Sequence, residues 1–333
     1  MQWKKDAGTD PPVALGVMLA PSLLLLVGLV ILLFAGDRLV RGAANLAKIA
    51  NIPPLIVGLT VVAFGTSAPE LVVTIGAVLG DAAGIAMGNI VGSNIANILM
   101  VLGLPAIIFP IATTVPRLHL HGGALLLATL LFCGMVYRSG SIGTMEAVIF
   151  TIGMLIYFGL MVVESRGGSG AASEVDDVTA PDPHLLPTLG LLAMGLIGLP
   201  IGATLLVDNG EHLAKMLGVR EEVIGLTVVA FGTSLPELAT VLAAALKKQE
   251  SVAVGSIVGS NVFNMLFVGA AAGYAGTAPF SAAALKVDIP VMIAATVFVS
   301  LLIFTKTTYG RTLGMLSVAA YLAYIIILGT AAS

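Results

Sequence analysis

Residues 58–71 read GLTVVAFGTSAPEL and residues 225–238 read GLTVVAFGTSLPEL, so one segment is written twice, 167 positions apart, with only Ala68 and Leu235 differing. A second stretch keeps the same offset: Gly88 to Gly103, GNIVGSNIANILMVLG, aligns without a gap on Gly255 to Ala270, GSIVGSNVFNMLFVGA. Leu46-Ala47-Lys48 likewise matches Leu213-Ala214-Lys215. A constant offset across separate motifs marks one structural unit used twice. The chain therefore has to fold as two halves of like construction.

Composition decides the solvent. Apolar residues make up 58% of the chain and charged residues 10%, which places it among integral membrane proteins. With about 20 apolar residues per span and breaks at Gly, Pro and charge clusters, ten helices are expected. They cover roughly 21–49, 55–79, 84–109, 119–137 and 144–163 in one half, and 187–216, 222–246, 252–276, 286–305 and 312–331 in the other. Residues 1–20 read as a polar N-terminal tail leading into an uncleaved first helix. Residues 164–186, rich in Gly, Ser, Asp and Pro, read as a flexible acidic linker between five-helix repeats at 21–163 and 187–333.

The second copy of the motif lies five spans after the first. An odd number of crossings turns it over, so the expected fold is all-α, with ten transmembrane helices in two inverted-topology five-helix repeats. With the N-terminus outside, the inner loops hold Lys48, Arg117, Arg166, Lys247, Lys248, Lys306 and Arg311, and the outer segments hold Lys4, Lys5, Arg138, Lys215, Arg220 and Lys286. The positive-inside bias favours that orientation. Asp37, Arg38, Arg41, Asp208 and Glu211, late in helices one and six, read as interfacial, as do His119 and His121.

Several function classes drop out. A net charge of −3 with no basic face leaves nothing for nucleic acid, and the single Cys133 excludes an intramolecular disulfide. Four scattered histidines give little to an imidazole metal cluster. No HExxH motif is present and no histidine neighbours either repeated motif, which disfavours an intramembrane enzyme.

Each motif instead sets a glutamate, Glu70 or Glu237, beside a proline, Pro69 or Pro236, and small hydroxyls. An acidic side chain at a helix centre costs about 2.5–3.5 kcal/mol on insertion scales and ordinarily lines a protein interior or a water-filled cavity. Proline removes a donor and pushes away the carbonyl four residues earlier, here Gly65 and Gly232. At four-residue spacing Thr66 and Glu70 share a helix face, as do Thr233 and Glu237, with Ser67 and Ser234 on its flank. Ser93 with Asn97 and Ser260 with Asn264 repeat the spacing. Such an inventory of oxygens suits a hard cation, since calcium takes six to eight oxygen ligands at about 2.3–2.6 Å. Two carboxylates match a divalent charge and repel when it leaves, so monovalent cations or protons must replace it. That is a physical basis for antiport. The plainer reading of Gly88, Gly92, Ser93, Gly255 and Gly259 is close helix packing, and of Asn94 and Asn261 interhelical or backbone hydrogen bonding.

GTSAPE with GSNIAN, repeated as GTSLPE with GSNVFN, resembles the two alpha-repeats of the cation/calcium exchanger superfamily, in its sodium/calcium exchanger branch. The likeness is close over residues 40–105 and 207–272. It implies ten helices in inverted halves, helices one and six moving as a sliding pair, and calcium and sodium competing for a central group of four sites. Carried over residue by residue, it implies Glu70 and Glu237 as shared carboxylates and Thr66 and Thr233 as calcium ligands. Ala63 and Ala230 would offer backbone carbonyls, Ser67, Ser93, Ser234 and Ser260 would serve sodium, and Asn97 and Asn264 would complete the middle. Some relatives carry Asp where this chain has Asn97 or Asn264, which leaves stoichiometry and potassium dependence open. The resemblance implies a sodium/calcium antiporter of a multi-pass prokaryotic cytoplasmic membrane, functional as a monomer and without a cofactor. Proton/calcium or other cation exchange is the alternative, and a cation channel a less fitting one.

Overall fold

The computed structural model describes residues 15–166, 183–217 and 232–331. Eight of its helices are long and apolar enough to cross a membrane, or nine if one bent pair counts as a single span. The expected helix over 222–246 is represented by the shorter apolar helix Leu235–Leu246, because residues 222–231 lie outside the described residues, as does 167–182 of the expected linker.

The chain begins in α1 (Leu15–Ala50), whose first turns take in residues assigned above to the tail. Then follow α2 (Pro54–Thr66), α3 (Ala68–Leu79), α4 (Ala83–Ile108), α5 (Leu118–Ser139) and α6 (Thr144–Arg166). The second half holds α7 (Leu185–Met216), α8 (Leu235–Leu246), α9 (Glu250–Ala275), α10 (Asp288–Phe304) and α11 (Arg311–Ala331). Helices α3 and α4 begin and end 167 residues before α8 and α9, so the sequence repeat is a repeat of elements.

Helices α4 and α9 form the centre, with 83% and 94% of their apolar windows buried, against 22% and 28% for α1 and α7. The latter two pack chiefly on each other through glycine. A Cβ added at Gly28 would meet the Gly202 carbonyl at 2.8 Å, one at Gly198 the Ala35 Cβ at 2.8 Å, one at Gly195 the Leu39 Cβ at 2.6 Å, and one at Gly42 the Leu192 side chain at 2.9 Å. Rising numbers on α1 meet falling numbers on α7, so the two run antiparallel. Small residues let membrane helices approach this closely and gain dispersion contacts.

The halves also touch at matched positions. Ile111 bridges Tyr309, while Ile142 in β1 (Ser141–Ile142) pairs with Ala278 in β2 (Ala278–Pro279). Ala278 is the repeat mate of Ile111 and Ile142 that of Tyr309, so the second pair is the first with each residue replaced by its counterpart. The Thr129 and Thr296 hydroxyls meet at 3.4 Å, and Asn261 donates to the Asn94 carbonyl at 3.4 Å, each pair again 167 apart.

Two expectations need correction. Glu164 is not linker: it lies in the last turn of α6, and the Nε2 of His121 pairs with its Oε2 at 2.8 Å. His121 is not interfacial but fully buried, with its other ring nitrogen 3.2 Å from the Tyr157 hydroxyl. The polar groups that suggested boundaries pair with each other inside.

Candidate cation site

The expected continuous helix over 55–79 is broken. A π-helical turn spans Gly58–Val62, and after Thr66 the chain bends by 43° into α3. The break sits at Ser67, whose ψ of 5° leaves the helical range. Pro69 explains it: the ring has no N–H for the preceding turn, and a first-turn position is where its fixed φ is tolerated. Glu70 therefore occupies the first turn of α3, and Glu237 the first turn of α8. The unpaired N–H groups and dipole of a helix start favour a carboxylate there. The bend falls between Thr66 and Glu70, so the two do not share one continuous helix face.

Both glutamates are buried, Glu70 at 1% exposure and Glu237 at 0%. Neither Glu70 carboxyl oxygen, nor Oε2 of Glu237, has a hydrogen-bond partner among the described groups. The fourth oxygen, Oε1 of Glu237, accepts from the Ser67 hydroxyl at 3.2 Å. Ser67 stands at the N-cap of α3, yet its side chain reaches across to the other half. That hydrogen bond brings the Glu237 carboxyl to the residue three before Glu70.

Some of the other expected oxygens meet one another. Thr66 and Ser260 place their hydroxyls 3.4 Å apart, and both face the Ala63 carbonyl, at 3.4 and 3.5 Å. Ala63, Thr66, Ser67, Ser93, Ser234 and Ser260 are all buried, and the Ser234 hydroxyl is without a partner among the described groups. Thr233 is only half-buried; it borders a cleft of about 180 Å³ with Pro69, Thr204, Asp208 and Pro236. Ala230 lies outside the described residues.

Asn97 and Asn264 each open a π-helical segment, Asn97–Val101 and Asn264–Val268. Such wide turns recur at functional sites. Their amides differ. Asn97 Nδ2 donates to Asn261 Oδ1 at 3.1 Å, leaving its own oxygen without a partner, whereas both amide atoms of Asn264 are unpartnered among the described groups. Asn94 donates to the Ile90 carbonyl and Asn261 to that of Asn94, as expected of packing residues.

Close packing holds for Gly255 and Gly259, where a Cβ would meet the Leu55 and Leu59 carbonyls at 3.0 and 2.6 Å. At Gly88 and Gly92 no described atom lies within 4 Å; the segment that the repeat would set against them lies outside the described residues.

Sequence reasoning missed Asn89. Its amide donates to the Glu70 carbonyl at 3.0 Å and to the Thr74 hydroxyl at 2.8 Å, bracing the first turn that carries the glutamate. The signal was available in GNIVGSNIAN, where Asn89, Ser93 and Asn97 recur every four residues on one face.

No group of three or more His, Cys, Asp or Glu able to hold a metal occurs among the described residues. The donors are instead two carboxylates among amides, hydroxyls and a carbonyl. Several are buried without a partner, a costly arrangement in low dielectric, and one that oxygen-seeking cations relieve.

Comparison with known proteins points the same way. The sodium/calcium exchanger protein family matches residues 21–163 and 187–330. Inner membrane protein YrbG of Escherichia coli (strain K12) is 33% identical over 318 residues, covering 93% of this chain and 97% of its own. Putative antiporter CaxA of Alkalimonas amylolytica is 36% identical over 314 residues, covering 92% and 98%. Among solved structures, the sodium-calcium exchanger NCX_Mj soaked with zero Na+ and Ca2+ superposes with a TM-score of 0.81 at 32% identity, over 93% of this chain and 99% of that one.

Proposed function

Because the chain belongs to the sodium/calcium exchanger protein family, we propose that it is a secondary-active sodium/calcium antiporter, exporting calcium against sodium entry by alternating access. The observation that carries this reading is the pair of buried glutamates, one from each half, with three of their four oxygens unpartnered among the described groups. Emptied of cations, two like charges in low dielectric repel. A site that cannot stay vacant exchanges its contents rather than releasing them. That property separates an antiporter from a channel.

In this reading Glu70 and Glu237 are shared by both ions. Thr66, Thr233 and the carbonyls of Ala63 and Ala230 complete the calcium shell, Ser67, Ser93, Ser234 and Ser260 serve sodium, and Asn97 and Asn264 line the middle. The ten-helix, inverted-repeat architecture belongs to the same proposal. The antiparallel run of α1 and α7 supports it, since these helices are repeat mates, and so do the contacts between positions 167 apart. An inverted repeat lets one site open to either side as the halves exchange conformations. Both carboxylates come from one chain, so a monomer suffices. The inner-membrane name of the Escherichia coli relative favours a prokaryotic cytoplasmic membrane, and the positive-inside bias favours an N-terminus outside.

The test is calcium flux in proteoliposomes with sodium, potassium and proton gradients imposed one at a time. Uptake into sodium-loaded vesicles that stops without sodium is expected. Uptake driven by a proton gradient alone would replace sodium by protons, and calcium conduction with no counter-ion would overturn exchange.

A further inference from the structure

The lipid-facing seam between α1 and α7 is not flush. A groove of about 600 Å³ runs along it, walled by Val30, Phe34, Met194 and Ile197 and floored by Ala35 and Gly198. Its lining is almost wholly apolar. At bilayer depth such a groove is filled by hydrocarbon, and the hydrocarbon at hand is a lipid acyl chain.

One end carries charge. The Arg38 guanidinium sits 4.3 Å over the Phe34 ring, and its Nε is buried without a hydrogen-bond partner among the described groups. Arg41, on the same helical stripe as Phe34 and Arg38, is half-exposed. The carboxylate beside them, Asp37, holds Lys247 at 2.7 Å and Arg41 at 2.9 Å, with Arg38 at 3.8 Å. Three cations against one carboxylate leave two positive charges at the end of a hydrocarbon groove. An acyl slot continuous with a cationic head is complementary to one class of molecule.

We propose that the α1–α7 groove binds one anionic phospholipid, its acyl chain lying along Val30, Phe34 and Ile197 and its phosphate on Arg38 and Arg41. Charge-assisted bonding of a phosphate by guanidinium groups supplies the orientation, and the groove supplies the apolar contact. Nothing in this depends on which ions the protein exchanges.

Native mass spectrometry of the intact chain tests it, with phosphatidylglycerol and phosphatidylcholine of identical acyl chains offered in competition. One phosphatidylglycerol should stay bound, with roughly tenfold preference over phosphatidylcholine. Arg38→Gln with Arg41→Gln should erase the preference but leave weak binding of either lipid, and Val30→Trp, which fills the groove, should weaken both. Arg41→Gln alone changes a half-exposed side chain and asks the same question if the double variant does not fold. Equal retention of the two lipids by the unaltered chain, or a preference that survives loss of the arginines, would overturn the proposal.

Discussion

Glu70 and Glu237 are buried carboxylates, each at the start of a helix whose dipole favours its charge. Glu70→Gln or Glu237→Gln keeps the shape, removes the charge and replaces one acceptor oxygen by a donor amide. Either is expected to reduce calcium uptake into sodium-loaded vesicles to background; near-normal uptake would take that residue out of the site. Asn264, with no described partner for either amide atom, should accept Asp: Asn264→Asp is expected to change the sodium or pH dependence of flux while the thermal melt stays within a few degrees. Asn89→Ala removes two hydrogen bonds behind Glu70, at about 1 kcal/mol each. It should lower the melting temperature and weaken calcium affinity together. The glutamates were legible in the sequence because an acid inside an apolar run stands out. The reach of Ser67 across to Glu237 was not, since it joins residues 170 apart that only the folded chain brings together.

Helices α1 and α7 owe their closeness to missing side chains. A Cβ at Gly195 or Gly202 would fall 2.6 to 2.8 Å from atoms of α1, so Gly195→Val or Gly202→Val must wedge the pair apart, at about 1–3 kcal/mol if it folds at all. Slowed flux at unchanged calcium affinity is expected; unaltered flux would show that the pair's spacing is immaterial to transport. Helix positions along the chain were readable from apolar run lengths, and most observed ends fall within a few residues of expectation. Internal irregularities were partly readable. Pro69 announces the break at Ser67, but the π-helical turns at Gly58–Val62, Asn97–Val101 and Asn264–Val268 shift hydrogen bonding by one residue without altering hydrophobic pattern. The end of α6 was misplaced because Glu164 looks like a boundary until its partner, His121, some forty residues earlier, is known.

Taken whole, the protein is built alike in its halves but not disposed alike. Thr66 is fully buried, whereas its repeat mate Thr233 borders a cleft. The native Cys133 is buried, giving a quiet background for labelling. Thr233→Cys should therefore react with a small membrane-impermeant thiol reagent from one side of the membrane and Thr66→Cys should not; equal labelling would mean the cleft gives no access. The repeat was legible from the constant offset, but this asymmetry was not, because near-identical motifs cannot say which of them faces an opening. Thr129 meets Thr296 and Asn94 meets Asn261, each its own counterpart in the other half. A surface on which each position meets its own counterpart is self-complementary in the manner of a homodimer. The present molecule thus has the contact plan of two like subunits joined in one chain, which leaves Thr66 and Thr233 free to differ in their surroundings.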